Sequence, residues 1–132
     1  MKTPLIKIAG FVCLAAFLSG CALMTADVGA LYEMEKAHMK TFEKDVPYCY
    51  NMTLKAIEKW NASVFQQRRG DYIVAMGLTT LYGSSIDTTE VGIFFTETAP
   101  GKTEIKVASL NYSLSEVVAR NLFTYIEKGG KE

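Results

Sequence analysis

The spacing of apolar and polar residues changes character several times along this chain. Residues 8–18 are an uncharged apolar run, Ile-Ala-Gly-Phe-Val-Cys-Leu-Ala-Ala-Phe-Leu. Further on, Val28, Leu31, Met34, His38 and Phe42 recur at spacings of three and four. That spacing predicts one face of an amphipathic helix over residues 26–44, with Asp27 suited to the dipole at its start; the alternative is a flexible spacer. Asp45-Val46-Pro47 then punctuates the chain. Asp45 or Val46 flanks a second helix, and Pro47 falls in its first turn, where a missing N–H costs nothing. Cys49, Met52, Ala56, Ile57 and Trp60 share one side of this helix, while Lys55, Glu58 and Lys59 face away. Asn61 closes it, because asparagine tolerates left-handed backbone.

The period then shortens. Residues 63–68, 72–79, 89–96 and 103–110 read as four strands. Gly70-Asp71 and Pro100-Gly101 mark tight turns, and Gly83-Ser84-Ser85 lies in a looser link. Tyr72, Val74, Met76 and Leu78 alternate with Ile73, Ala75 and Gly77. Val91, Ile93 and Phe95 alternate with Gly92 and Phe94, and Ile105 and Val107 with Glu104 and Lys106. The helical period returns at the end. Ser113-x-x-Glu116 reads as a capping box ahead of an apolar stripe of Leu114, Val117, Val118, Leu122 and Tyr125 or Ile126, and Gly129-Gly130 stops the helix.

The expected fold is therefore α+β: helix, four-stranded antiparallel meander, helix, with the helices packed on one sheet face and an N-terminal helical tether. Met52, Trp60, Val91, Ile93, Ile105, Val107, Val118 and Leu122 are expected to form one core. Ile73 and Phe94 are expected on the sheet face away from the helices. With Tyr82 they make a candidate binding face, unless the tether helix covers it.

The apolar run at 8–18 has a specific setting. Lys2 and Lys7 precede it, and Leu18-Ser19-Gly20-Cys21 ends it. It is shorter than the roughly 20 residues a membrane span needs. A charged start, an apolar middle and a small-residue end are the three parts of an export signal. The segment resembles the bacterial lipoprotein signal peptide: positions 18 to 21 match all four places of its lipobox. The resemblance covers about the first 21 residues. It implies cleavage between Gly20 and Cys21, a diacylglycerol on the Cys21 thiol and an acyl chain on the new amino terminus. The remainder, with its helix, meander and helix, its Gly-Asp turn and its Gly-Lys-Thr at residues 101–103, is similar in layout to small bacterial lipoproteins of unassigned function. The implied organisation is a signal peptide at 1–20, a lipidated tether helix at 21–45 and a single α+β domain at 46–132. One acyl chain gives marginal membrane binding at about 0.8 kcal/mol per buried methylene, so two or three chains hold a protein firmly. Residue 22 is Ala rather than Asp. The family's sorting rule then implies the outer membrane, facing the periplasm, in a diderm cell. In a monoderm cell it implies the outer face of the plasma membrane.

Composition narrows the functional classes. The 132-residue chain has 14 basic and 14 acidic residues. Losing Lys2 and Lys7 with the signal leaves 12 against 14, a net charge of −2. Nucleic-acid binding calls for a basic stripe, and the only adjacent basic pair is Arg68-Arg69. Of the three cysteines, Cys13 leaves with the signal and Cys21 is acylated, so Cys49 has no disulfide partner within the chain. With His38 the only histidine, no Cys/His metal set and no resident cofactor are expected. No partnered nucleophile is evident: Cys49 lies in phase with a core stripe, and His38 lies on the expected tether. Gly83-Ser84-Ser85 lacks the hydrolase elbow. Gly101-Lys102-Thr103 falls between two strands and so fails as a phosphate loop. Asp71, Asp87, Glu90 and Glu97 near strand ends remain as carboxylates that folding could bring together. The expected function is a membrane-anchored envelope lipoprotein with a non-enzymatic binding or scaffolding domain and a protein partner. The alternative is a small apolar-ligand or lipid-binding module, which needs a cavity lined by sheet aromatics.

Overall fold

A computed structural model of the chain describes residues 28–78, 81 and 89–131. Cys21, Gly20, Tyr82 and Asp87 lie outside the described residues. The described elements are α1 (Val28–Tyr32), β1 (His38–Phe42), α2 (Val46–Lys59), β2 (Ser63–Arg68), β3 (Tyr72–Met76), β4 (Val91–Ala99), β5 (Lys102–Ser109) and α3 (Tyr112–Glu127). The strands form one antiparallel sheet in the order β1-β5-β4-β3-β2. The architecture is α+β, with α2 and α3 on one face.

The sheet has five strands, not four, and the fifth comes from the expected tether. Among the described residues of that stretch only 28–32 are helical; residues 38–42 pair with β5, His38 opposite Val107 and Phe42 opposite Thr103. A spacing of four fits a strand face as well as a helix face, because side chains on a strand alternate with period two. The pairing also satisfies backbone groups that β5 would otherwise expose along its edge. On the inner side Phe42 packs against Phe123, with ring centroids 5.7 Å apart, and Lys40 forms an ion pair with Glu127. Residues 38–45 therefore belong to the domain, and a boundary at 45/46 would cut the sheet.

Local signals place α2. The Asp45 carboxylate accepts a hydrogen bond from the Tyr48 N–H at 2.9 Å, with Pro47 in the first turn. An N-cap of this kind is worth about 1 kcal/mol. The helix ends where Asn61 adopts a left-handed φ of 55°. The α3 cap differs from the expected box. Asn111, not Ser113, is the N-cap, and its side-chain oxygen accepts from the Leu114 N–H at 3.1 Å. The Ser109 hydroxyl meets the Asn111 N–H, so the turn out of β5 sets the cap two residues earlier.

The main core lies between the sheet and α2 with α3. All eight expected core residues join it, together with Ile73, Ala75, Phe95 and Leu114. Ile73 was expected on the opposite face. It pairs with Ile93 and is fully buried in this core, because strand alternation gives cross-strand partners the same face.

Candidate functional site

The face away from α2 and α3 carries Tyr72 and Val74 of β3, Gly92 and Phe94 of β4, and Lys106 and Ala108 of β5, as the pairing register requires. Phe94 is thus on the expected face, but it is only 4% exposed. The short helix α1 packs over it. Leu31 is buried against Gly92, and the Tyr32 ring meets the Phe94 ring edge-on at 5.2 Å. The Lys106 ammonium lies 4.9 Å from the Tyr32 ring centroid and donates to the Tyr32 carbonyl. Residues 91–95 are consequently buried on both sides of the sheet. Of the candidate face Ile73, Tyr82 and Phe94, the first belongs to the main core, the second lies outside the described residues and the third is covered.

Phe95 and Tyr72 of the sheet are packed against neighbouring rings, whereas Phe65 of β2 is exposed. Tyr50 meets Phe95 edge-on at 5.4 Å, and Tyr72 lies 6.2 Å from Phe94. The Tyr50 hydroxyl donates to Gln67 at 2.8 Å.

The two side chains most apt for nucleophilic or acid–base work stand on different elements. Cys49 is on α2, fully buried and unbridged. Burial pushes its thiol above the ordinary cysteine range, outweighing a hydrogen bond with Thr103 that acts the other way. At neutral pH it is a protonated thiol and a weak nucleophile. The folded protein should therefore resist iodoacetamide at Cys49 while the urea-unfolded chain alkylates readily, as intact-mass measurement will show. The same shift gives a pH dependence. Its contribution is fully present below the ordinary thiol pKa of about 8.5. It is lost as pH rises above that value, because the unfolded thiol then ionises before the folded one.

His38 opens β1 instead of lying on a helix. Its ring is 5.0 Å from that of Tyr112, and its Nε2 is buried with no hydrogen-bond partner among the described residues. Asp71 faces Arg68 at 3.8 Å. Glu90 and Glu97 stand seven residues apart along one extended stretch, roughly 23 Å at about 3.3 Å per residue. Gly101-Lys102-Thr103 turns the β4–β5 hairpin, and the Thr103 hydroxyl donates to the Lys44 carbonyl at 2.8 Å. Among the described residues no three His, Cys, Asp or Glu side chains gather to hold a metal.

What the surface offers is grooves. One of about 430 Å³ runs between β1 and α3, past His38, Met39, Glu116 and Arg120. A second, about 440 Å³, lies between α2 and β2 and is lined by Tyr50, Leu54, Gln67 and Arg69. A third, about 420 Å³, lies where the end of α2 meets α3 and is lined by Trp60, Tyr125 and basic side chains. Sequence reasoning passed over this third groove. Its cations are scattered along the chain from Arg120 to Lys131 and become neighbours only through the helical period. No family model and no curated protein sequence matches the chain.

Proposed function

We propose that this chain is a membrane-anchored envelope lipoprotein whose α+β domain binds a partner and turns over no substrate. The observation that carries the reading is Leu18-Ser19-Gly20-Cys21 directly after a charged start and an apolar run. The fold supports the second half. Cys49 is buried as a neutral thiol, a weak nucleophile, and His38 stands on a different element from it. The grooves are open surface features of the kind that bind. No helix among the described residues is long and apolar enough to cross a membrane, so attachment in this reading depends on the lipid of Cys21. In a diderm cell the protein sits on the outer membrane facing the periplasm; in a monoderm cell it sits on the outer face of the plasma membrane.

Cys21→Ala should move the protein from the detergent phase to the aqueous phase and abolish incorporation of labelled palmitate. Equal partitioning of variant and parent would refute the anchor. For the binding half, His38→Ala and Cys49→Ala are expected to complement a deletion strain. Loss of complementation by a folded, membrane-attached variant that still recovers its partner would show that a reaction is involved.

A further inference from the structure

We propose that the groove between the end of α2 and α3 binds a small anionic saccharide, a hexose-sized ring carrying a phosphate or a carboxylate. Arg120, Thr124 and Lys128 follow one another at intervals of four along α3. They form a single row beside the groove, with Lys131 at its end. Trp60 and Tyr125 make the aromatic wall, their rings edge-on at 6.5 Å. The Lys59 ammonium sits 5.7 Å from the Tyr125 ring centroid.

Among the described residues the lining includes no carboxylate. Among the described residues, Arg120, Lys128 and Lys131 are in no ion pair within 4.0 Å. The chain as a whole has no net charge, so this concentration of cations is local. Lysines near a helix end ordinarily answer the helix dipole. Here the last-turn carbonyls of Thr124, Tyr125, Ile126 and Lys128 already accept backbone N–H groups from residues 128–131, and Arg120 lies two turns inside the helix. The cations are not needed as caps.

The rest of the lining suits a sugar. Asn121 donates its amide N–H to the Val117 carbonyl at 2.8 Å, which leaves its side-chain oxygen as an acceptor. The Thr124 hydroxyl donates and accepts. The Tyr125 and Trp60 rings offer apolar contact for a sugar face. The guanidinium of Arg120 can hold two oxygens of a phosphate or carboxylate at once. About 420 Å³ falls within the roughly 300–1,000 Å³ range of small-molecule sites.

This inference names a ligand for the binding domain proposed above, and the two readings fail separately. Trp60 is the only tryptophan, so its fluorescence reports on the groove directly. The full chain in detergent micelles would be titrated with glucose 6-phosphate, glucuronate, glucose and inorganic phosphate, with calorimetry as a second readout. At least one of the two anionic sugars should bind saturably, and the tighter one identifies the anion. Glucose and inorganic phosphate should bind about tenfold more weakly or worse, the scale of one lost charge-assisted hydrogen bond. Arg120→Gln and Lys131→Gln should each weaken the anionic sugar by about tenfold, and added salt should weaken it further. Three results would overturn the proposal: neither anionic sugar binding by either readout, free phosphate or glucose binding as tightly as the anionic sugars, or both glutamine variants binding like the parent. Conversion of the bound sugar to a product would leave the groove standing and overturn the non-enzymatic reading. Neither result bears on the anchor at Cys21.

Discussion

Replacing Trp60 by alanine is expected to destabilise the domain by about 3–5 kcal/mol, the usual cost of removing a buried large aromatic. Trp60 is 9% exposed and belongs to the main core. Its backbone closes α2, donating to the Ala56 carbonyl at 3.0 Å, and its ring stands against Tyr125 of α3. The side chain therefore joins two helices at the point where α2 ends. A domain of this size is stable by only about 5–15 kcal/mol, so the variant should unfold at markedly lower urea. Circular dichroism is the appropriate probe, since the substitution removes the only tryptophan. Trp60→Phe should cost less, because it keeps an aromatic ring beside Tyr125. A loss under about 1 kcal/mol for the alanine variant, within the range of surface changes, would show that the ring does not tie the helices together.

The elements with local signals were legible in the sequence. Asp45, Pro47 and Asn61 bracket α2 by capping chemistry that acts within four residues, and Gly70 and Gly101 turn the hairpins with left-handed φ values of 76° and 75°. The main core followed from periodicity for the same reason. What sequence did not show depends on contacts far along the chain. Residues 38–42 lack a strand signal of their own; pairing with β5, more than sixty residues away, decides their conformation. The alternation of β4 puts Phe94 on the face away from α2 and α3, exposed unless the tether helix covers it, and α1 from that stretch does cover it. The run Val91-Gly92-Ile93-Phe94-Phe95 is closer to continuous, which is how a strand covered on both faces reads. Ile73 was misplaced because its phase relative to β4 depends on register, and a one-residue slip exchanges faces.

The groove beside Trp60 was illegible for a related reason. In the linear pattern Trp60 and Tyr125 both read as core, and Lys128 reads as a helix-end cation. Each of those readings accounts for its residue singly. Only the docking of α3 against the end of α2 shows that the polar edges of these residues share one opening. The proposed anchor is the opposite case: the pattern it rests on lies entirely in the order of residues 2–21.

Gly92 carries the second large effect, and its sign separates local propensity from packing. Glycine weakens a strand interior, so Gly92→Ala would ordinarily be neutral or stabilising by roughly 0.5–1 kcal/mol. At this position a Cβ would stand 2.7 Å from Cε2 of Phe94 and 3.3 Å from Cδ1 of Leu31. The Phe94 ring cannot swing away freely, since Tyr32 and Tyr72 flank it and α1 lies above. Overpacking of this kind typically costs about 1–3 kcal/mol. The cost should fall first on α1, whose five residues hold their place through Leu31 and Tyr32. Gly92→Ala is therefore expected to lower stability and to speed hydrogen exchange and protease cleavage at residues 28–37, while α2 and α3 stay protected. Gly92→Val should do both more strongly. Phe94→Leu in the Gly92→Ala background relieves the clash, so the double variant should lose less than the sum of the two single changes, the non-additivity expected of touching residues. Full stability and unchanged exchange in Gly92→Ala would mean that strand propensity prevails and that α1 is not seated on this face. Displacement of α1 by that one methyl group would show that the second layer of the fold rests on the missing side chain at Gly92.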